Sequence, residues 1–315
     1  MMIAFLFPGQ GSQAIGMGKA VYEAFSESRE VIDAVDDALN EKLSAMMFDG
    51  AIEDLSLTRN TQPALMAVSM AIFSVLKKHA SKDISGAYFA GHSLGEYSAH
   101  AAIETFTLAD TARLLRIRGD AMQQAVPVGV GGMAALIGAG GIEQAEALCE
   151  LVSSSDAKCS VANDNSAEQI VISGHKTAID QAIANASEFG FRRALPLPVS
   201  APFHCGLMAP AATVMEQALE PIVTPTTLQG KLIANVTCDL VSTGDEAKAV
   251  LIQQVIGRVR WRETIQSLTA RGVTQFIEVG SGKVLAGLVK RIIPDAAVVS
   301  VENPADIEAM LKGIF

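Results

Sequence analysis

Residues 87–99 read AYFAGHSLGEYSA, and their reading decides the fold. The apolar run 87–90 has strand character, residues 96–103 open a helix, and Gly91-His92-Ser93-Leu94-Gly95 lies between them. A G-x-S-x-G between strand and helix is the context in which the motif becomes a nucleophile elbow. The two glycines let strand and helix approach around a sharp turn. The serine then projects from its tip, with N–H groups and the helix N-terminus facing any developing negative charge. The pentapeptide alone would leave an ordinary turn serine ahead. With its flanks it makes Ser93 the candidate nucleophile.

The same alternation runs outward from this stretch. Residues 3–7, IAFLF, form a strand, followed by a helix near 17–36 and another at 64–76. Strands separated by helices predict a parallel α/β sheet. The pattern changes at Pro127, where VGVGG at 128–132 reads as a hinge. Beyond it come strand 133–139, helix 142–152, strands 159–163 and 169–173, helix 177–189 and strand 192–197. That β-α-β-β-α-β order is the ferredoxin-like split motif. Pro196, Pro198 and Pro202 mark the return to the first unit, whose further strands fall at 232–236, 276–279 and 297–301. The expected division is a large unit of residues 1–127 and 198–315 and a small subdomain of residues 128–197. The cleft between them is the natural site.

Composition excludes several classes. Half of the 315 residues are apolar and 18% are charged, which suits a packed core rather than a disordered chain. The apolar stretch 64–76 is too short for a bilayer, and residues 3–7 lack the basic flank of a signal peptide. No membrane partner is expected, and a cytoplasmic location is. The four cysteines show no C-x-x-C spacing and read as reduced thiols. The five histidines form no ligand cluster, so neither metal nor cofactor is expected. A net charge of −10 argues against nucleic acid. Nothing demands more than a monomer.

A serine hydroxyl needs a base. His204 stands in VSAPFHCG, residues 199–206, a proline-punctuated loop at the boundary between the units. Position alone does not separate a base from a structural histidine, but elimination favours it. His92 projects away from the neighbouring serine and reads as turn support, while His79 ends a basic helix and reads as solvated. In an ordinary α/β-hydrolase the order is Ser, acid, then a His near the C-terminus. Here no histidine follows His204, so that layout does not apply. Arg113, Arg116 and Arg118 follow the elbow helix; the first two read as solvated. Arg118, two residues from Arg116, points in another direction and matters if an acyl group carries a carboxylate.

These residues converge on a family. FPGQGSQ at 7–13, TQPA at 61–64, GHSLGEYSA at 91–99 and Arg118-Gly119 are followed by N-x-x-x-Q-x-V-I-S-G-H at 165–175. LPLPVSAPFHC at 195–205, Val259-Arg260-Trp261 and EVGSGKVL at 278–285 complete the set. The chain resembles, from end to end, the free-standing bacterial malonyl-CoA:acyl carrier protein transacylases of fatty acid biosynthesis. That resemblance implies an α/β-hydrolase-like core with a parallel sheet plus an inserted ferredoxin-like small subdomain. It also implies malonyl transfer from malonyl-CoA to the phosphopantetheine thiol of acyl carrier protein through a malonyl-serine intermediate, in ping-pong order.

The roles carried over are these. Ser93 attacks, His204 moves the proton, and the N–H groups of Gln10 and Leu94 hold the oxyanion. Arg118 grips the malonyl carboxylate with Gln62 nearby, Asn165 lines the cleft and Phe203 shapes the pocket. The Gln254 carbonyl orients His204 in place of an acid. The opening GQGSQA at 9–14 then serves the oxyanion rather than a dinucleotide: Pro8 precedes the first glycine, and no acid ends a second strand. Gly280-Ser281-Gly282-Lys283 lacks phosphate-loop spacing and reads as a turn into a helix. Arg258, Arg260 and Arg262, or Lys283, Lys290 and Arg291, are the candidate docking groups for an acidic carrier. The alternatives are a serine thioesterase or hydrolase using the same pair, a silent carrier-binding module, or malonyl transfer serving polyketide synthesis or malonate decarboxylation. Intact Ser93, His204, Arg118 and Gln10 count against the silent module.

Overall fold

In the computed structural model, which describes residues 2–81, 84, 86–199 and 201–313, strand β1 (Met2–Phe7) lies inside a six-stranded sheet. Ala4, Phe5, Leu6 and Phe7 are wholly buried. A strand covered on both faces needs such a continuous apolar run rather than alternation. The chain continues through α1 (Lys19–Ala24), α2 (Ser26–Leu39), α3 (Leu43–Asp49), α4 (Ile52–Leu55) and the long α5 (Thr58–His79). It returns as β2 (Tyr88–Gly91), parallel to β1, and enters α6 (Leu94–Ala102) and α7 (Leu108–Gln124).

A second sheet follows, built from β3 (Gly131–Gly138), α8 (Gly141–Val152), β4 (Cys159–Ser166), β5 (Gln169–His175), α9 (Lys176–Asn185) and β6 (Phe191–Pro196). The first unit resumes with α10 (Ala209–Leu219), β7 (Lys231–Ile233), β8 (Leu240–Val241), α11 (Gly244–Ile256) and α12 (Trp261–Ala270). It closes with β9 (Val273–Val279), α13 (Val284–Ile292), β10 (Ala297–Val301) and α14 (Pro304–Gly313).

The large sheet has the order β10-β9-β1-β2-β7-β8 and is parallel through β7. Only the two-residue edge strand β8 runs antiparallel, too short to leave a sequence signal. Phe5 and Phe7 face α5, where the Phe73 ring lies 5.3 Å from Phe5, 6.0 Å from Phe7 and 5.8 Å from Phe89. Ala4 and Leu6 face the opposite layer, packed with Trp261, Ile265 and Phe276. Among the described residues no helix is long and apolar enough to cross a membrane.

The small sheet is antiparallel with the order β4-β5-β3-β6, the arrangement that the ferredoxin-like motif dictates. One face buries Leu136 and Ile172 under Leu148 of α8 and Ile179 of α9. Met133, Ala135 and Val171 on the other face join the core of the large unit. Backbone bonds from Val259 N–H to Ala162 O (2.8 Å) and from Asp164 N–H to Val259 O (2.9 Å) stitch β4 to the large unit. The buried carboxylate of Asp164 also accepts from Arg262 at 2.8 Å. This seam borders the cleft.

The expected helix near 17–36 is two helices, because Phe25 adopts an extended backbone. Bending there lets both halves reach α5. The expected helix at 64–76 begins earlier and carries Pro63 inside it. Proline has no N–H to offer the carbonyl four residues back. That carbonyl, Arg59 O, accepts instead from the Arg116 guanidinium at 2.9 Å.

Phe73 joins α5 to three strand aromatics, so Phe73→Ala is expected to destabilise the large unit by about 3–5 kcal/mol. Chemical denaturation followed through the buried Trp261 would measure it; a loss below about 1 kcal/mol would show the aromatic cluster to be incidental.

Candidate active site

Two close approaches shape the elbow. A Cβ on Gly91 would stand 1.9 Å from the backbone of Gly95, and one on Gly95 would stand 2.1 Å from Phe7 O. Only glycines allow β1, β2 and α6 to converge here. The chain between them is driven to φ 54° and ψ −111° at Ser93, a region disfavoured for a residue with a side chain. Asn235, just beyond β7, holds it there. Its Oδ1 accepts from Ser93 N–H at 2.8 Å and its Nδ2 donates to Gly91 O at 2.7 Å. Ser93 N–H is thereby occupied, while Leu94 opens α6, where the first N–H groups have no partner within the helix.

Ser93 Oγ lies 2.7 Å from His204 Nε2. His204 is itself at φ 58°, and its Nδ1 donates to the backbone carbonyl of Gln254 at 2.9 Å. Because a carbonyl can only accept, Nδ1 carries the proton and Nε2 is left free to take the serine's. Burial, reinforced by the nearby Arg118 charge, lowers the imidazole to about 3, so it is neutral at physiological pH. The pair can act as nucleophile and general base without a third carboxylate.

Arg118 is 1% exposed. It donates from Nη1 to Gln62 Oε1 at 2.7 Å, and from Nη2 to Gln254 Oε1 at 2.8 Å and Ser93 Oγ at 3.2 Å. Its guanidinium carbon lies 5.5 Å from the centre of the Tyr97 ring. All its hydrogen-bond partners are neutral, and among the described residues no carboxylate lies within ion-pair distance. A buried cation with neutral partners beside a serine hydroxyl has the chemistry to receive an anion.

A cavity of about 240 Å³ opens onto this group, lined by Gln10, Gln62, Ser93, Leu94, Arg118, Asn165, Phe203 and His204 among others. All the sequence-derived candidates thus line it except Gln254, which lies directly behind His204. Gln10 belongs to the loop after β1, which packs so closely that a Cβ on Gly9 would stand 2.6 Å from His92 O. No helix follows that loop until Lys19, unlike a dinucleotide turn. His92 points away from the nucleophile: its Nε2 donates to Asn165 Oδ1 at 2.8 Å, and its ring lies 5.5 Å from Trp261.

Arg116 corrects the sequence reading. It is buried rather than solvated, bound to Arg59 O, to Asn60 Oδ1 and, at 2.7 Å, to Glu41. Pro63 creates the acceptor that draws it in. Arg113 remains exposed.

Two residues escaped the sequence reading. Asn235 gave no local signal, since its role depends on strand order. Glu96 did give one, a carboxylate in a helix turn otherwise made of small and apolar residues. It is wholly buried and accepts on Oε2 from Asn235 N–H at 3.0 Å and from Gln254 Nε2 at 2.7 Å. Among the described residues its Oε1 has no partner. Burial raises its carboxyl to about 7.

Comparison with known proteins agrees with this architecture. Residues 4–303 match the family model for the acyl transferase domain. The chain is 42% identical over 313 residues to the malonyl CoA-acyl carrier protein transacylase of Bacillus subtilis, covering 98% of this chain and 96% of the relative. It is 39% identical to the Escherichia coli K12 protein of the same name, covering 98% of each. The structure of an acyl-carrier-protein-S-malonyltransferase from Bartonella henselae superposes with a TM-score of 0.95 at 51% identity, covering 99% of both chains. A malonyl-transacylase solved in complex with a type II polyketide acyl-carrier protein also superposes with a TM-score of 0.95, at 37% identity and 99% coverage of both chains. A conserved two-unit architecture and near-complete coverage leave one assignment: the chain belongs to the acyl transferase domain family, among the malonyl-CoA–acyl carrier protein transacylases.

Proposed function

We propose that the protein transfers the malonyl group from malonyl-CoA to the phosphopantetheine thiol of acyl carrier protein, for fatty acid biosynthesis, and that it works as a monomer. The observation that carries this reading is the buried Arg118 guanidinium held 3.2 Å from Ser93 Oγ without a carboxylate partner. An acyl group esterified to Ser93 and bearing its own carboxylate supplies the missing anion.

In the proposed reaction Ser93 Oγ attacks the thioester carbonyl and its proton passes to His204 Nε2. The N–H groups of Leu94 and Gln10 receive the oxyanion. Collapse expels the CoA sulfur, which takes the proton from His204, and leaves a malonyl-serine ester. The carrier thiol then gives its proton to His204 and attacks the ester; breakdown returns that proton to Ser93. Arg118 holds the malonyl carboxylate throughout, with Gln62 fixing one of its nitrogens. Asn165 and Phe203 bound the acyl path, and Gln254 O keeps the imidazole in its tautomer. The unit of residues 128–197 forms one wall of the cleft, and the described residues of the 1–127 and 198–315 unit form the other.

Ion pairing separates the two candidate carrier patches. Arg258, Arg260 and Arg262 are engaged by Glu146, Glu263 and Asp164. Among the described residues Lys290 and Arg291 on α13 donate only to neutral groups, Lys290 to Ala296 O at 2.7 Å and Pro294 O at 3.5 Å and Arg291 to Gln169 Oε1 at 2.8 Å, and both are exposed. Lys283 is exposed one residue before the same helix, whose Val284, Leu285 and Leu288 line the cavity. An acidic carrier delivering its thiol there meets α13 first.

Labelled malonyl-CoA is expected to leave an adduct on Ser93 that carrier protein discharges and water does not. Rapid loss to water would indicate a hydrolase, and no adduct a silent binding module. Arg118→Ala removes a charge-assisted contact of about 1.5–3 kcal/mol, so malonyl preference over acetyl in kcat/KM should fall roughly 10–100-fold; an unchanged ratio would remove Arg118 from the acyl pocket. The double variant Lys290→Glu with Arg291→Glu should raise the KM for carrier about tenfold and leave the malonyl-CoA KM within twofold. Equal rises in both would place the docking surface elsewhere.

A further inference from the structure

Glu96 lies beneath the site without touching the cavity, and the transfer reaction as written makes no use of it. It is the wholly buried carboxylate beside Arg118, reached through one intermediary. Gln254 Nε2 donates both to Glu96 Oε2 and to Ser93 O, at 2.7 and 3.0 Å. With its nitrogen so committed, the amide must turn Oε1 toward Arg118, which it meets at 2.8 Å. The same residue's backbone carbonyl holds His204. A rotated amide would point N–H groups at a guanidinium and lose all three bonds.

We infer that Glu96 is a positioning and charge-balancing residue of the acyl pocket, fixing the Gln254 amide that holds Arg118, and taking up a proton from solvent when a substrate carboxylate reaches that arginine. This rests on the malonyl-transfer reading above. In the free enzyme the ionised Glu96 offsets part of the Arg118 charge. A bound malonyl group brings a second carboxylate to the same cation. Two anions sharing one buried cation repel, and one of them is neutralised. The malonyl carboxylate meets the guanidinium directly, whereas Glu96 sits one residue removed and, among the described residues, has an unpartnered oxygen ready for a proton.

The surroundings leave no better proton acceptor. α7 contributes Arg118 and α11 contributes neutral Gln254, while α5 faces the site with Gln62. Tyr97, on the same helix, is pushed up to about 12 by burial and stays protonated. His204, beyond Gln254, is held neutral at about 3 by burial and by the Arg118 charge. His92 is also lowered by burial. Glu96, with its carboxyl near 7, is the group whose proton occupancy a new anion changes around pH 7.5.

The test uses Ser93→Ala enzyme, which cannot be acylated, titrated calorimetrically with malonyl-CoA at pH 7.5 in two buffers of different ionisation enthalpy. The expected result is uptake of a substantial fraction of one proton per malonyl-CoA bound. Adding Glu96→Gln should abolish the uptake while binding persists. Undiminished uptake in that double variant, or none in Ser93→Ala alone, overturns the inference and leaves malonyl transfer untouched. Failure to bind malonyl-CoA at all would overturn the transfer reading and this inference with it.

A kinetic comparison in otherwise wild-type enzyme reads the positioning role. Glu96→Gln can keep both accepted bonds on its carbonyl oxygen, with its nitrogen where Oε1 now lies unpartnered. It should retain kcat within about threefold, while Glu96→Ala, which leaves both donors without their acceptor, loses at least tenfold in kcat at a temperature where circular dichroism shows both variants folded. Equal kcat in the two variants would show that Gln254 holds its place without Glu96.

Discussion

Gln254 is the point at which the parts of the site become interdependent. Its backbone carbonyl fixes the tautomer of His204, its side-chain oxygen meets Arg118, and its side-chain nitrogen meets both Ser93 O and Glu96. A glutamine amide can satisfy this pattern in one orientation only, because its two ends are a donor and an acceptor. Ser93, His204 and Arg118 are therefore tied to α11 by polar contacts that cannot be exchanged singly. The fold supports this arrangement by bringing α11 against the elbow, although more than 150 residues separate Ser93 from Gln254 in the chain.

Much of this was legible in the sequence, for reasons that differ by element. The buried run of β1 and the helix after Ser93 follow from local patterning, and the small sheet follows from its order of strands and helices. The elbow was legible because its glycines are demanded by backbone contact rather than by side-chain preference. His204 emerged from elimination, and its bond to Ser93 bridges 111 positions. Gln254 came only through the family resemblance, since a carbonyl leaves no mark on residue identity. Asn235 was invisible because its importance comes from strand order, which places β7 beside β2. Arg116 was misread because its acceptor exists only where Pro63 interrupts a helix from a different part of the chain. Local pattern recovers elements; polar partners across elements need the fold.

The seam between the units constrains how the cleft works. Strand β4 is bonded to Val259 on both sides and anchored by the Asp164–Arg262 pair, and Asn165 on the same strand reaches His92 beside the nucleophile. A buried carboxylate left without its guanidinium would be strongly unfavourable, so separating the units along this line is costly. The small subdomain is consequently docked as a wall rather than hung as a lid. On its other side the cavity reaches α13, where Val284, Leu285 and Leu288 line it.

The carbonyl behind His204 has a consequence for how easily a proton taken by the imidazole is given back. A carboxylate in that position would favour the imidazolium and hold the proton once taken. A neutral carbonyl gives no such advantage, and the neighbouring guanidinium opposes a second positive charge. In the proposed reaction the proton is thus on short loan, returned as readily to one sulfur as to another. Such a relay suits an exchange between two chemically similar thioesters, whose net direction is set by the concentrations on either side rather than by the enzyme.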